Sequence, residues 1–136
     1  MKKSKLFLIT LLLVLGANSF SIPYEEVQGK WVRIGTTAYH LWDFSEDYVV
    51  CTLFGEYLGE NTIKSQITYI PDGFRFMNKD YEAKVNGDTL SILQGETWFF
   101  YTRLDAEKET LMKEREVRFK DKHKEDSKKE VEKTKN

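Results

Sequence analysis

Runs of five to eight residues rich in Val, Ile, Thr and aromatic side chains follow one another from Trp31 to Arg103, and turn-forming residues separate them. Their apolar positions lack the 3.6-residue period of a helix, so the pattern predicts strands. We place eight strands, at 30–35, 39–44, 48–54, 62–70, 73–78, 80–85, 89–94 and 97–103.

The segments between these strands carry hairpin chemistry. Asn86-Gly87 suits the positive φ angles of a type I′ turn, and Pro71 presets φ ahead of Asp72-Gly73. Consecutive hairpins make an antiparallel meander, and pairing its last strand with its first removes both exposed edges. We therefore predict an all-β fold over residues 22–104, a small closed barrel or a strongly coiled sheet.

Alternation of apolar and polar residues gives most strands one dry face, as in 80–85 and 89–94. The strand at 97–103 differs because it is apolar on both faces, so we expect another element to pack over its outside. Strand position and side-chain size select the candidate lining of the interior, although alternation leaves open whether these residues or their neighbours face inward: Trp42, Phe44, Phe76, Trp98 and Phe100.

The first 21 residues are typical of a secretory signal peptide. Lysines at positions 2, 3 and 5 precede an apolar run over 6–15, and small residues then allow cleavage after Ser19 or after Ser21. An uncleaved anchor is disfavoured because about ten apolar residues rise only about 15 Å as a helix, half a hydrocarbon core. We predict a periplasmic or secreted protein with no transmembrane segment in the mature chain. It is not a lipoprotein, because no cysteine follows the apolar run.

Cys51 is the only cysteine, so the chain cannot form an internal disulfide. It shares a strand face with Val49 and Leu53, which predicts a buried, inert thiol rather than a reactive one.

The net charge of the strand region argues against nucleic-acid binding. Residues 20–104 carry 7 basic and 12 acidic side chains, and a net charge of −5 repels a phosphate backbone. We expect no nucleic-acid partner.

Residues 105–136 form a charged tail rich in Lys and Glu, with no Gly or Pro and with opposite charges at i, i+4 spacing. The pattern is compatible with a helix or with disorder. Apolar residues in its first part, such as Met112 and Phe119, could attach it to the barrel, whereas only Val131 follows. The tail is either a partner-binding arm or a solubilising helix that frays.

Catalytic and metal-binding motifs are missing from the sequence. His40 and His123 are the only imidazoles, and no zinc spacing, phosphate-binding glycine loop or Gly-x-Ser-x-Gly elbow is present. We therefore expect no enzyme activity, no catalytic residue, no metal and no cofactor.

Gly29-Lys30-Trp31 opens the first strand, Arg103 ends the last one, and a helix-prone segment follows. This order resembles the lipocalin and wider calycin pattern, and it is closest to small lipocalin-like domains of exported bacterial proteins. The resemblance covers Gly29 to Leu104. It implies that Trp31 closes one end of the barrel and that Arg103 lies across its indole.

Two functional hypotheses follow. The first is an exported, monomeric binding module that holds a small apolar ligand inside an aromatic-rich barrel, open at the end opposite Trp31. The second is an envelope or secreted interaction protein whose barrel is filled by its own side chains. Its outer face or charged tail would then contact a protein partner.

Overall fold

The computed structural model describes residues 24–135, so the predicted signal peptide lies outside the described residues. Eight strands lie between a short helix and a long one, as the apolar pattern predicts. The elements are α1 (Tyr24–Val27), β1 (Gly29–Ile34), β2 (Ala38–Phe44), β3 (Tyr48–Gly55), β4 (Gly59–Ile70), β5 (Gly73–Phe76), β6 (Lys79–Asn86), β7 (Thr89–Gln94), β8 (Thr97–Arg103) and α2 (Ala106–Thr134).

The strands form a closed barrel in which each strand is antiparallel to the next. Closure comes from β8, which pairs with β1 through Trp31↔Arg103 and Val32↔Thr102. The predicted all-β barrel is therefore confirmed, and closure leaves it without a free sheet edge.

Two glycines permit the tight hairpins. Gly87 has φ 59° in the turn between β6 and β7, a value that the preceding Asn86 motif predicts. At the start of β5, a Cβ on Gly73 would lie 1.8 Å from the carbonyl oxygen of Tyr81. Because backbone cannot yield that much, only glycine allows β5 and β6 to approach so closely.

Alternation along the strands separates an interior core from an outer one. The interior core contains Val27, Trp31, Trp42, Phe44, Val49, Cys51, Ile67, Phe74, Phe76, Ala83, Leu90, Ile92 and Tyr101. A second cluster lies on the outer face of β1, β2 and β3, where Val32, Tyr39 and Phe54 pack against Met112 of α2.

The long helix α2 shows that the tail is helical rather than disordered. Asp105 is its N-cap and accepts a hydrogen bond from the backbone N–H of Lys108 at 2.9 Å. Its first part packs on the outer cluster, and residues 120–135 are all exposed. No helix within residues 24–135 is both long and apolar enough to cross a bilayer.

The outer face of β8 is open, which corrects the expectation that another element covers it. Phe100 is 61% exposed there. The chain leaves β8 at Leu104, whose N–H donates to the carbonyl of Lys30 in β1, so α2 begins beside β1. It then follows the apolar outer side chains of β1–β3, away from β8.

Candidate functional site

One end of the barrel is closed around Trp31, which is completely buried. Its indole Nε1 donates to the carbonyl oxygen of Val27 at 2.8 Å. The guanidinium carbon of Arg103 lies 3.9 Å from the centroid of the Trp31 ring, well inside cation–π range. Arg103 also donates to the carbonyl oxygens of Glu26 and Gln28. This end is therefore sealed as the resemblance predicts.

The middle of the barrel is packed by aromatic rings. Neighbouring centroids among Trp42, Phe44, Phe74, Phe76 and Tyr81 lie 5.3 to 6.1 Å apart. These distances correspond to direct ring contact, mostly edge to face. Trp42, Phe44 and Phe76 face the interior as the sequence analysis expects, and their rings contact one another or neighbouring rings across it.

Trp98 and Phe100, the other two predicted interior residues, lie on the outside of β8. Phe100 is largely exposed, and the ammonium of Lys84 lies 4.8 Å from the centroid of the Trp98 ring. The inward residues of this strand are Phe99 and Tyr101. Because residues two apart share a strand face, the inward position of Arg103 fixes this alternation.

Above the rings lies a polar cluster centred on His40. Its Nε2 is 3.1 Å from Sγ of Cys51 in β3, and its Nδ1 is 2.9 Å from the hydroxyl of Tyr101 in β8. The side-chain amide of Gln94 in β7 donates to the same hydroxyl at 3.0 Å. All three hydrogen bonds are satisfied if each residue donates to the next: Gln94 to the Tyr101 hydroxyl, this hydroxyl to Nδ1 of His40, and Nε2–H of His40 to the sulfur of Cys51.

The pKa values of His40 and Cys51 favour a structural role for this cluster over a nucleophilic one. Burial, with a smaller contribution from the positive charge of Arg33, lowers the pKa of His40 to about 4. Burial raises the pKa of Cys51 to about 11. At neutral pH the imidazole is uncharged and the thiol is protonated, so the pair lacks the thiolate that cysteine chemistry requires. The predicted burial of Cys51 is confirmed.

A pocket of about 290 Å³ opens to solvent at the end of the barrel opposite Trp31. His40 lies in its wall, together with Arg33, Gly35, Ala38, Tyr39, Leu53 and Phe54. The guanidinium carbon of Arg33 lies 4.5 Å from the centroid of the Phe99 ring. From α2, Arg115 donates through Nε to the carbonyl oxygen of Gly35 at 2.9 Å. The pocket thus joins apolar walls, a neutral imidazole and nearby guanidinium groups.

The sequence analysis did not bring Arg33, Gln94 and Tyr101 together with His40. The alternation of strand faces could have indicated part of this cluster. If Trp31 and Arg103 point inward, then Arg33 and Tyr101, each two residues away on the same strand, also point inward. Pairing β2 with β3 across the turn at 45–47 then places Cys51 opposite Trp42, which is two residues from His40 and on the same strand face.

Within residues 24–135, no three His, Cys, Asp or Glu side chains are grouped to hold a metal ion. Comparison of the chain with protein-family models, with curated proteins and with solved structures finds no match. The assignment of function therefore rests on the geometry of the barrel.

Proposed function

We propose that this protein is an exported, non-catalytic binding module that holds a small ligand at the mouth of a lipocalin-like barrel. The carrying observation is the pocket of about 290 Å³ above the His40 cluster. Binding sites of this kind combine apolar walls with a few fixed polar groups. Tyr101 and Cys51 hold the His40 ring at both nitrogens, which gives the pocket a rigid polar base.

The packing of the interior sets the size of the ligand. A fatty-acid chain along the barrel axis would have to displace the contacting rings of Trp42, Phe74 and Phe76. Dense interiors resist such displacement because each lost ring contact costs free energy. The ligand is therefore smaller than a fatty acid, and it lies at the mouth.

A size-matched ligand series tests the proposal. Calorimetric titration with benzyl alcohol, benzamide and benzoate should give saturable binding by at least one compound, between about micromolar and millimolar Kd for ligands of eight or nine heavy atoms. Ala38→Phe fills the pocket wall and should abolish this binding, whereas Ala106→Phe at the start of α2 should preserve it. Binding that survives Ala38→Phe, or no binding by any compound, would contradict the proposal.

A second candidate is the interaction protein with a filled barrel. The observation that favours it is the open outer face of β8, where Phe100 is 61% exposed beside Leu93 and Trp98. A photo-crosslinker at position 100 would be tested in living cells against the same group at Thr68, an exposed residue of β4. A discrete adduct at 100 only would favour this candidate, and equal labelling at both positions would argue against it.

Export is tested independently of binding. Amino-terminal sequencing of protein recovered from the envelope or the medium should start at Phe20 or Ile22, after removal of the Lys-rich leader. A mature protein that begins at Met1 or Lys2 would contradict export by cleavage.

A further inference from the structure

Among the described residues that line the mouth pocket, Arg33 is the one that carries a guanidinium or ammonium group. Within residues 24–135 it forms no ion pair with a carboxylate. Its guanidinium carbon lies 4.5 Å from the centroid of the Phe99 ring. Stacking on an aromatic ring orients a guanidinium while leaving its N–H donors directed outward.

A second guanidinium reaches the rim of the same pocket from α2. Arg115 donates to the carbonyl oxygen of Gly35 at 2.9 Å and to that of Leu111 at 3.1 Å. These acceptors are neutral, so the charge of Arg115 is not cancelled by its hydrogen bonds. The two arginines lie on different elements, a strand and a helix, and Arg115 bonds the turn that follows the strand of Arg33.

The carboxylates near this rim have other partners. Glu56 is bound by Arg118 at 2.9 Å and by Lys122 at 3.2 Å. Glu116 accepts a hydrogen bond from the Tyr39 hydroxyl at 2.8 Å, on the outer face of the barrel. Neither carboxylate pairs with Arg33. Two cations neutralise Glu56, whereas the Tyr39 hydroxyl is neutral and leaves the charge of Glu116 in place.

We infer that the mouth pocket binds a small organic carboxylate, with its charged group on Arg33 and its apolar body against Leu53. This inference rests on the proposed function and specifies the ligand class. Arginine presents a planar fork that matches a carboxylate in bidentate fashion. The His40 ring, whose two nitrogens are already engaged by Cys51 and Tyr101, adds an uncharged surface at the base of the pocket. Arg115 contributes attraction at longer range.

Matched pairs of ligands test the charge requirement. Benzoate is compared with benzamide, and hexanoate with hexanamide, because each pair differs in charge and little in shape. Titrations at pH 7.5 and low salt should show each carboxylate binding at least about tenfold more tightly than its amide, a difference of about 1.4 kcal/mol. The preference should shrink as salt screens the charges.

Variants locate the charge that matters. Arg33→Met should remove most of the preference for carboxylate, and Arg115→Met should reduce it less. Lys30→Met is the matched control, since it removes one positive charge from the same strand at the sealed end of the barrel. It should leave both affinities unchanged. Circular dichroism verifies folding, and Arg33→Gln replaces the Met variant if that one does not fold.

Each outcome separates the two proposals. Equal affinity for amides and carboxylates, abolished by Ala38→Phe, would overturn the carboxylate inference and leave the mouth site standing. A carboxylate preference that is unchanged in Arg33→Met would also overturn the inference, because the charge would then lie elsewhere. Absence of binding by all four compounds at concentrations up to about 10 mM would overturn both proposals.

Discussion

The two ends of the barrel each hold an arginine stacked on an aromatic ring, and the two arginines differ in their polar partners. At the sealed end, Arg103 lies over the buried Trp31 ring and donates to two backbone carbonyls. At the mouth, Arg33 lies over the Phe99 ring but has no carboxylate partner among residues 24–135. Both residues project inward from paired strands of the same sheet, so their different partners distinguish a sealed end from a mouth that is open to solvent.

The contrast follows from what the chain supplies at each end. Helix α1 and the residue after it bring the carbonyl oxygens of Glu26, Val27 and Gln28 over the sealed end, and these accept hydrogen bonds from the indole and the guanidinium. At the mouth only hairpin turns and the side of α2 are nearby. Polar groups there meet one another in the His40 cluster or face solvent.

The largest expected effect is at the sealed end. Trp31→Ala should lower the free energy of unfolding by about 3–5 kcal/mol, because it leaves a cavity where a completely buried indole packed. Leu53→Ala at the mouth should cost less than about 1 kcal/mol, since this side chain is 48% exposed. Urea unfolding measures both. Equal losses would contradict the division between a structural end and an open one.

The second largest expected effect is a loss of stability in acid, through protonation of His40 at the mouth. The pKa of His40 falls from 6.5 to about 4 on folding because of burial, so the unfolded state binds a proton more readily between these values. The contribution of neutral His40 to the free energy of unfolding is fully present above pH 6.5. It is lost as the pH falls towards 4, by a total of the order of 3 kcal/mol. Urea unfolding from pH 7.5 to 4 measures it.

His40→Gln is the control for this acid effect, because glutamine cannot titrate. Carboxylates elsewhere destabilise both proteins in acid, so the difference between them isolates the imidazole. A wild type that loses no more stability than the variant between pH 6.5 and 4 would show that His40 is not buried as a neutral ring.

Replacing Arg103 should lower the free energy of unfolding less than replacing Trp31, the residue that it covers. Arg103→Ala should cost about 1 kcal/mol, from the lost cation–π contact and the lost hydrogen bonds to Glu26 and Gln28. Arg75→Ala is a matched control, because its ion pair with Asp80 at 2.7 Å is fully on the surface. Thermal unfolding should separate the two variants; identical midpoints would deny Arg103 a role in closure.

Sequence periodicity predicts the strands of this fold well because local chemistry defines them. The predicted 89–94 and 97–103 coincide with β7 and β8, and β4 starts three residues before the predicted 62–70. Turn residues such as Asn86-Gly87 fix these boundaries. Closure was also predictable, because a meander leaves two exposed edges that pairing of its first and last strands removes.

The mouth site was not predictable in the same way. Four consecutive aromatic residues, Trp98 to Tyr101, give β8 no polar face, so its alternation cannot be determined from hydrophobicity. The cluster of His40 with Cys51 and Tyr101 depends on strand pairing between residues up to 61 apart. Short-range patterns carry no such information unless one residue of each strand is already assigned to a face.

The smallest expected effect concerns the end of α2 that extends past the mouth contacts. Residues 124–135 are exposed, and Lys122 is the last residue with an ion pair to the barrel. Deleting 124–136 should therefore leave the thermal midpoint within about 1 °C of the full chain, because almost no apolar area is lost. The matched deletion of 119–136 also removes Phe119, whose ring centroid lies 5.8 Å from that of Phe54, and Lys122. It should lower the midpoint by several degrees, about 4–8 °C for each kcal/mol lost in a domain of this size. A drop of that size already in the shorter deletion would show that the exposed turns stabilise the mouth.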